Sequence, residues 1–266
     1  MSGKIVDVRH HICDYSCMWN GIEDIYMTKT GENIPPFFFF CLSGVGNITY
    51  LKYNDEELPR LLVFGDGRPK KIYGNIANIV GFTYKFAERR TFPNALRRVK
   101  ELIGMGKPVV LGPLDMFHLP YLKFYHKIHI PIHYVLMVGY DDEKQCIYVY
   151  DCGRDGIQAV PLEDLREAWE VGKSSVGGPN EFIEIDFTDQ LKSTCEIADI
   201  ALKKKAKEML EPKVSFIGIK GIRKAAKEFP KWENELSPKG YRNSLMNMLE
   251  FIGTVPKLPN IVMGFN

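Results

Sequence analysis

The sequence predicts an α+β domain followed by a helical appendage, and three observations carry this reading. Two apolar runs, 133–140 and 146–151, flank a short polar turn, the pattern of a β-hairpin. Amphipathic segments at 17–28 and 94–104 precede the hairpin. Beyond residue 190, periodic segments at 194–210, 215–229 and 237–253 are separated by Pro212, Pro230 and Pro238 and read as three helices.

In the first helix Met18, Ile22, Ile25 and Tyr26 recur at helical spacing, and Gly31 is a stop signal. Gly21 inside it costs about 1 kcal/mol relative to Ala, tolerable where something must pack closely. Pro35-Pro36 then opens an aromatic run, Phe37 to Phe40, too apolar for a surface feature. The second helix puts Ala95, Leu96, Val99, Leu102 and Ile103 on one face, and Gly104 and Gly106 end it. A buried strand at 108–111 leads towards the hairpin, in which Tyr140 is expected opposite Cys146 across a loop of residues 141–145. A strand at 157–160, a helix at 162–171 and a strand at 182–187 follow, with no internal repeat.

Composition sets the outer limits. The chain has 266 residues, 45% apolar and 26% charged, which excludes disorder and collagen-like structure. Its longest apolar runs fall far short of the roughly 20 residues that cross a bilayer. The N-terminus lacks a basic start followed by an apolar core. A cytoplasmic location is therefore expected, with the six cysteines reduced. Residues 1–190 hold 21 Lys/Arg against 25 Asp/Glu, whereas residues 191–266 hold 14 against 8. This shift suggests a domain over 1–190 and a basic helical appendage over 191–266. The basic surface suits an acidic partner, and a plain solvated face or a homo-oligomer contact stays open. No nucleic-acid-binding motif accompanies the charge.

Three residues fit a thiol-nucleophile site. Cys17 stands at the predicted start of the first helix, after Asp14-Tyr15-Ser16. Helix N-termini carry partial positive charge that favours thiolate over thiol, and their N–H groups can stabilise an oxyanion. With Tyr140 opposite Cys146, Asp151 faces Val135, and His133 lies on the same face two residues away. The two are then diagonal neighbours roughly 7–8 Å apart at the backbone, within reach of side chains. A carboxylate beside an imidazole fixes its tautomer and supports its charge. The plainer alternative is a strand-end His and a loop-capping Asp.

Other groupings carry less. His118, His126, His129 and His133 are crowded, but Pro131 breaks any helical ligand pair and no Cys-x-x-Cys is present, so no metal is expected. Gly65-Asp66-Gly67-Arg68-Pro69 reads as a tight turn rather than a phosphate loop, since no helix opens after it. Cys146 and Cys152 read as structural. Cys195 opens a basic helix, with nothing further to support reactivity.

The segment from Ile132 through His133 to Gly139-Tyr140-Asp141-Asp142, with Tyr148-Val149-Tyr150-Asp151 after it, resembles the His and Asp strands of papain-like, C39-type proteins. Asp14-Tyr15-Ser16-Cys17 is similar to their nucleophile entry. More narrowly, Gly106-Lys107-Pro108-Val109-Val110, the 115–121 segment Asp-Met-Phe-His-Leu-Pro-Tyr, and Pro161-Leu162-Glu163-Asp164-Leu165 with Trp169 resemble the butirosin biosynthesis protein H family. The resemblance covers roughly residues 9–187. It implies a papain-like domain with an antiparallel sheet and a nucleophile helix. It also implies acyl transfer from an acyl carrier protein or other acyl thioester to an amine-bearing small molecule, without a cofactor. On that mapping Cys17 is the nucleophile, His133 the base and Asp151 its orienting residue. His11 occupies the usual position of an oxyanion-hole Gln, and Cys13 is the alternative nucleophile. Two further readings use the same fold: a cysteine peptidase or amidase with the same triad, and a non-catalytic small-molecule-binding protein. The 37–40 run, with Cys41, is then core or the wall of an acyl pocket.

Overall fold

The computed structural model describes residues 3–14, 17–45, 48–64, 71–170, 174 and 176–254. The turn at 65–69 lies outside them. In chain order the strands are β1 (Gly3–Ile5), β2 (Ile48–Lys52), β3 (Arg60–Phe64), β4 (Phe82–Ala87), β5 (Val109–Leu114), β6 (His133–Asp141), β7 (Cys146–Tyr150), β8 (Gln158–Pro161) and β9 (Phe182–Phe187). The helices are α1 (Cys17–Thr30), α2 (Phe38–Phe40), α3 (Ala77–Val80), α4 (Phe92–Gly104), α5 (Leu162–Trp169), α6 (Thr194–Leu210), α7 (Gly218–Glu228), α8 (Trp232–Glu235) and α9 (Pro238–Thr254). The fold is α+β with antiparallel strand pairing and a helical C-terminal region, as the sequence predicts.

The chain divides into two units, residues 1–37 with 80–191 and residues 38–79 with 192–266. The first unit ends at 191. The second unit, however, is more than a C-terminal appendage, because it includes residues 38–79. In it the two-stranded sheet β2–β3 packs Tyr50 and Leu62 with Ala225 and Trp232 in a small core of its own. The peptide N–H of Tyr50 donates to the Phe216 carbonyl at 2.8 Å, joining β2 to the C-terminal segment. The 37–40 run supplies only one fully buried side chain, Phe39, so it is not a solid block of core. Phe38–Phe40 forms a helical turn that widens into a π-type turn over Cys41–Val45. On α6 two lysines are committed to backbone carbonyls. Lys205 donates to the Cys41 carbonyl and Lys204 to that of Asn75.

The first unit is built on a seven-stranded sheet with the path β4-β9-β5-β6-β7-β8, and β1 pairs with β6 at residues 139–141. Val109, Leu111, Val135, Met137, Ile147 and Val149 join Ala95, Val99, Ile103, Leu165 and Trp169 in the principal core, which places α4 and α5 on one face. The opposite face receives α1. A Cβ on Gly21 would stand 3.0 Å from Leu136 Cβ and 3.3 Å from Val110 Cγ2, so the glycine is what lets α1 lie close to β5 and β6. That close seat offsets the helix-propensity cost of glycine.

The hairpin register corrects one expectation. Near the turn Tyr140 pairs with Ile147 and Asp141 with Cys146, one residue away from the expected register. A bulge between Met137 and Gly139 absorbs the extra residue, so that Met137 pairs with Val149 and Leu136 with Tyr150. The bulge falls where β1 lies against Gly139, whose Cβ would stand 2.6 Å from the Lys4 carbonyl. Beyond it the expected register is restored, and this is the end that carries His133.

Replacing Gly21 by Leu should force α1 off the sheet. Overpacking of this kind costs about 1–3 kcal/mol. Urea denaturation should show a lower midpoint for Gly21→Leu, and an unchanged midpoint would contradict the close packing.

Candidate active site

His133 opens β6 and Asp151 follows β7, so the restored register delivers both to one end of the hairpin. His133 Nε2 donates to Asp151 Oδ2 at 2.8 Å, and the two residues are 7% and 1% exposed. With Nε2 committed, Nδ1 is the ring nitrogen left for the Cys17 thiol, which is the other side-chain hydrogen-bonding partner of this imidazole. Cys17 is the first residue of α1, so its sulfur stands at the positive end of the helix. Tyr15 and Ser16 lie outside the described residues.

Burial works against a charge on His133. The charge of Asp151, its hydrogen bond and the Cys17 sulfur outweigh burial and push the imidazole up to about 10. Burial likewise opposes the charge on Asp151, and the adjacent imidazolium together with further donors holds the carboxyl below its usual range. One donor, Tyr121, was not singled out from the sequence. Its hydroxyl donates to Asp151 Oδ2 at 2.8 Å, on the same oxygen as His133. Burial first, then Asp151, raises both the Tyr121 hydroxyl and the Cys152 thiol, so each stays protonated beside the carboxylate. Tyr121 comes from the long β5–β6 connection, where neither strand nor helix periodicity marks it. Its only signal was membership of the 115–121 segment.

Behind α1 lies a second polar network. Glu23 and Asp24 are fully buried on the helix. His11 presents Nδ1 to Asp24 Oδ1 at 2.7 Å and Nε2 to Glu23 Oε2 at 3.1 Å. Burial opposes its charge, but hydrogen bonds to Asp24, Cys13 and Glu23 push it up to about 11. A ring with both nitrogens facing carboxylates has no N–H left over, which removes His11 from the expected oxyanion role. His10 is held similarly, with Nδ1 on Asp24 Oδ2 at 2.7 Å and Nε2 on the Arg154 carbonyl at 2.9 Å, and its ring stacks on Tyr150. The two adjacent carboxylates between Ile22 and Ile25 were the sequence signal for this network.

Cys13 belongs to that network. It is 2% exposed, its sulfur accepts the Phe37 N–H at 3.1 Å, and its own N–H donates to the Cys152 carbonyl at 2.7 Å. The thiol brought to His133 is that of Cys17. Cys146 is buried in β7, and Cys195 is exposed. Among the described residues, no helix is long and apolar enough to cross a membrane.

Comparison with known proteins adds a family. The model of the butirosin biosynthesis protein H N-terminal domain matches residues 16–152, just over half of the chain, and this span contains Cys17, His133 and Asp151. A domain of unknown function, DUF4872, matches residues 172–255. Uncharacterized protein YobF of Bacillus subtilis (strain 168) is 29% identical over 150 residues, which is 54% of this chain and 45% of YobF. The chain thus matches less than half the length of this relative. A solved Bacillus anthracis protein described as a C39-like peptidase superposes with a TM-score of 0.43 at 12% identity, covering 72% of this chain and all of the other.

The His11 network predicts a pH dependence of stability. A histidine raised above its unfolded value of 6.5 contributes stability that is complete below about 6.5 and is lost as pH rises towards its folded value, here about 11. Each excess proton held by the native state gives a slope of up to about 1.4 kcal/mol per pH unit. Denaturation between pH 7 and 10 should therefore show a falling stability that His11→Gln makes shallower. Parallel profiles for the two proteins would contradict an imidazolium at His11.

Proposed function

The chain belongs to the butirosin biosynthesis protein H N-terminal family, and from that premise we propose that it is a cysteine-dependent acyltransferase acting through an acyl-enzyme on Cys17. The observation that carries this reading is the line Cys17–His133–Asp151, in which His133 and Asp151 are buried. The Cys17 thiolate attacks the carbonyl carbon of an acyl thioester, and the positive end of α1 faces the developing oxyanion. As the tetrahedral adduct collapses, the C–S bond to the donor breaks and the departing thiolate takes the proton from His133. An amine then attacks the acyl-enzyme carbonyl. His133 accepts the amine proton, the bond to Cys17 breaks, and the amide leaves. Asp151 keeps the imidazole oriented throughout, and Tyr121 holds Asp151.

The donor assigned by this reading is a carrier-protein thioester, and the acceptor is an amine-bearing small molecule. The second unit supplies basic side chains suited to an acidic carrier. Lys203 and Lys207 on α6, and Arg223 and Lys227 on α7, are exposed. Such a surface chiefly speeds encounter.

Incubation of the full chain with a panel of acyl thioesters should give a single acyl adduct by intact-mass spectrometry, mapped to Cys17 and absent from Cys17→Ser. Asp151→Asn should slow its formation by about 10²-fold or more. Added amine should clear the adduct faster than water does. Equal clearance by water would favour a hydrolase, and no adduct with any thioester would favour a binding protein.

A further inference from the structure

A second cluster of side chains lies outside this line. Asp115, which directly follows β5, His118 and His129 bring one ligand atom each to within 4.8 Å of one another. Asp115 is 7% exposed, and its Oδ1 accepts the N–H groups of Phe117 at 3.1 Å and Ile130 at 2.8 Å. Two peptide donors thus fix the carboxylate and aim Oδ2 at His129 Nδ1, 2.7 Å away. The His129 ring stacks on Phe117 with centroids 4.0 Å apart, and the His118 ring lies 6.1 Å from that of His129. One carboxylate and two imidazoles, with the carboxylate held by a supporting shell, form a donor set suited to zinc-class cations.

We infer that Asp115, His118 and His129 form a binding site for one zinc-class divalent cation, with a fourth position left to water. In a tetrahedral site, two donors at about 2.0–2.1 Å from the ion stand about 3.3–3.4 Å apart. The donors of the cluster, within 4.8 Å of one another, must therefore close by up to about 1.5 Å. The His129 side chain is 65% exposed, which leaves it free to make that adjustment. Pro131, which argues against a helical ligand pair, is no obstacle, because the donors come from two segments of one connection rather than from a helix. Nor is His133 a member, since it is committed to Asp151. The other gathering of ligand atoms, His11, Cys13 and Glu23, is a poorer candidate, because both nitrogens of His11 already face carboxylates.

The site has a structural consequence. Residues 118 and 129 bracket Tyr121, whose hydroxyl holds Asp151. A cation joining them ties the ends of the loop that supplies this donor.

The test uses the full chain, freed of metal by chelator and dialysed. Titration with Zn2+ by calorimetry should give one site per chain, and Co2+ should give the visible spectrum of a tetrahedral nitrogen–oxygen site. His118→Ala and His129→Ala should each weaken Zn2+ binding by about 100-fold or more, with circular dichroism unchanged. Cys17→Ser should retain the site, which separates it from coordination by thiols. Absence of stoichiometric Zn2+ binding by the wild-type chain would overturn the inference. So would undiminished binding by the folded His118→Ala and His129→Ala variants.

Discussion

The hydrogen bond between His133 Nε2 and Asp151 Oδ2 is the interaction on which the site depends. It is buried, and an unpaired ion there would be costly to keep from water. The pair is stable as ions because each charge answers the other and because Asp151 collects further donors from Tyr121, Cys152 and the Gly153 N–H. The same bond sets the state of the imidazole. It commits one ring nitrogen, turns the other to Cys17, and supports the positive form of the ring that a thiolate partner requires.

Around that bond the first unit solves a placement problem. The Cys17 thiol comes from the start of a helix, and His133 and Asp151 come from the start of β6 and just past the end of β7. Gly21 seats α1 on Leu136 and Val110, while the bulge at 137–139 sets which residues of β6 and β7 meet. On the far side of α1, His10 and His11 neutralise Glu23 and Asp24 and tie the preceding segment to the helix. The two networks separate by role. In one the imidazole keeps a nitrogen for Cys17, and in the other both nitrogens of His11 face carboxylates.

Much of this was legible from residue order. Period-3.6 spacing marked α1 and α4, and period-two pairing placed His133 beside Asp151 because side-chain alternation leaves little freedom once the hairpin is recognised. The bulge was not legible, since it falls where β1 meets Gly139, a contact distant in sequence. Nor was the joining of residues 38–79 to the C-terminal region, which rests on pairings such as that of Tyr50 with Phe216. The alternating Phe82-Thr83-Tyr84-Lys85-Phe86 did carry a strand signal that became β4. His11 shows the limit of positional analogy: it stands where a resemblance puts an oxyanion donor, yet two carboxylates about two helical turns inside α1 claim both of its nitrogens.

The central claim is that Asp151 and Cys17 hold His133 as an imidazolium at neutral pH. Nitrogen-15 NMR of the histidine side chains tests it directly, with His133→Gln used to assign the resonance. The wild-type ring should remain doubly protonated from pH 6 to 9 and lose its proton near pH 10, and in Asp151→Asn it should titrate at much lower pH. A neutral His133 ring at pH 7 in the wild-type protein would contradict the account.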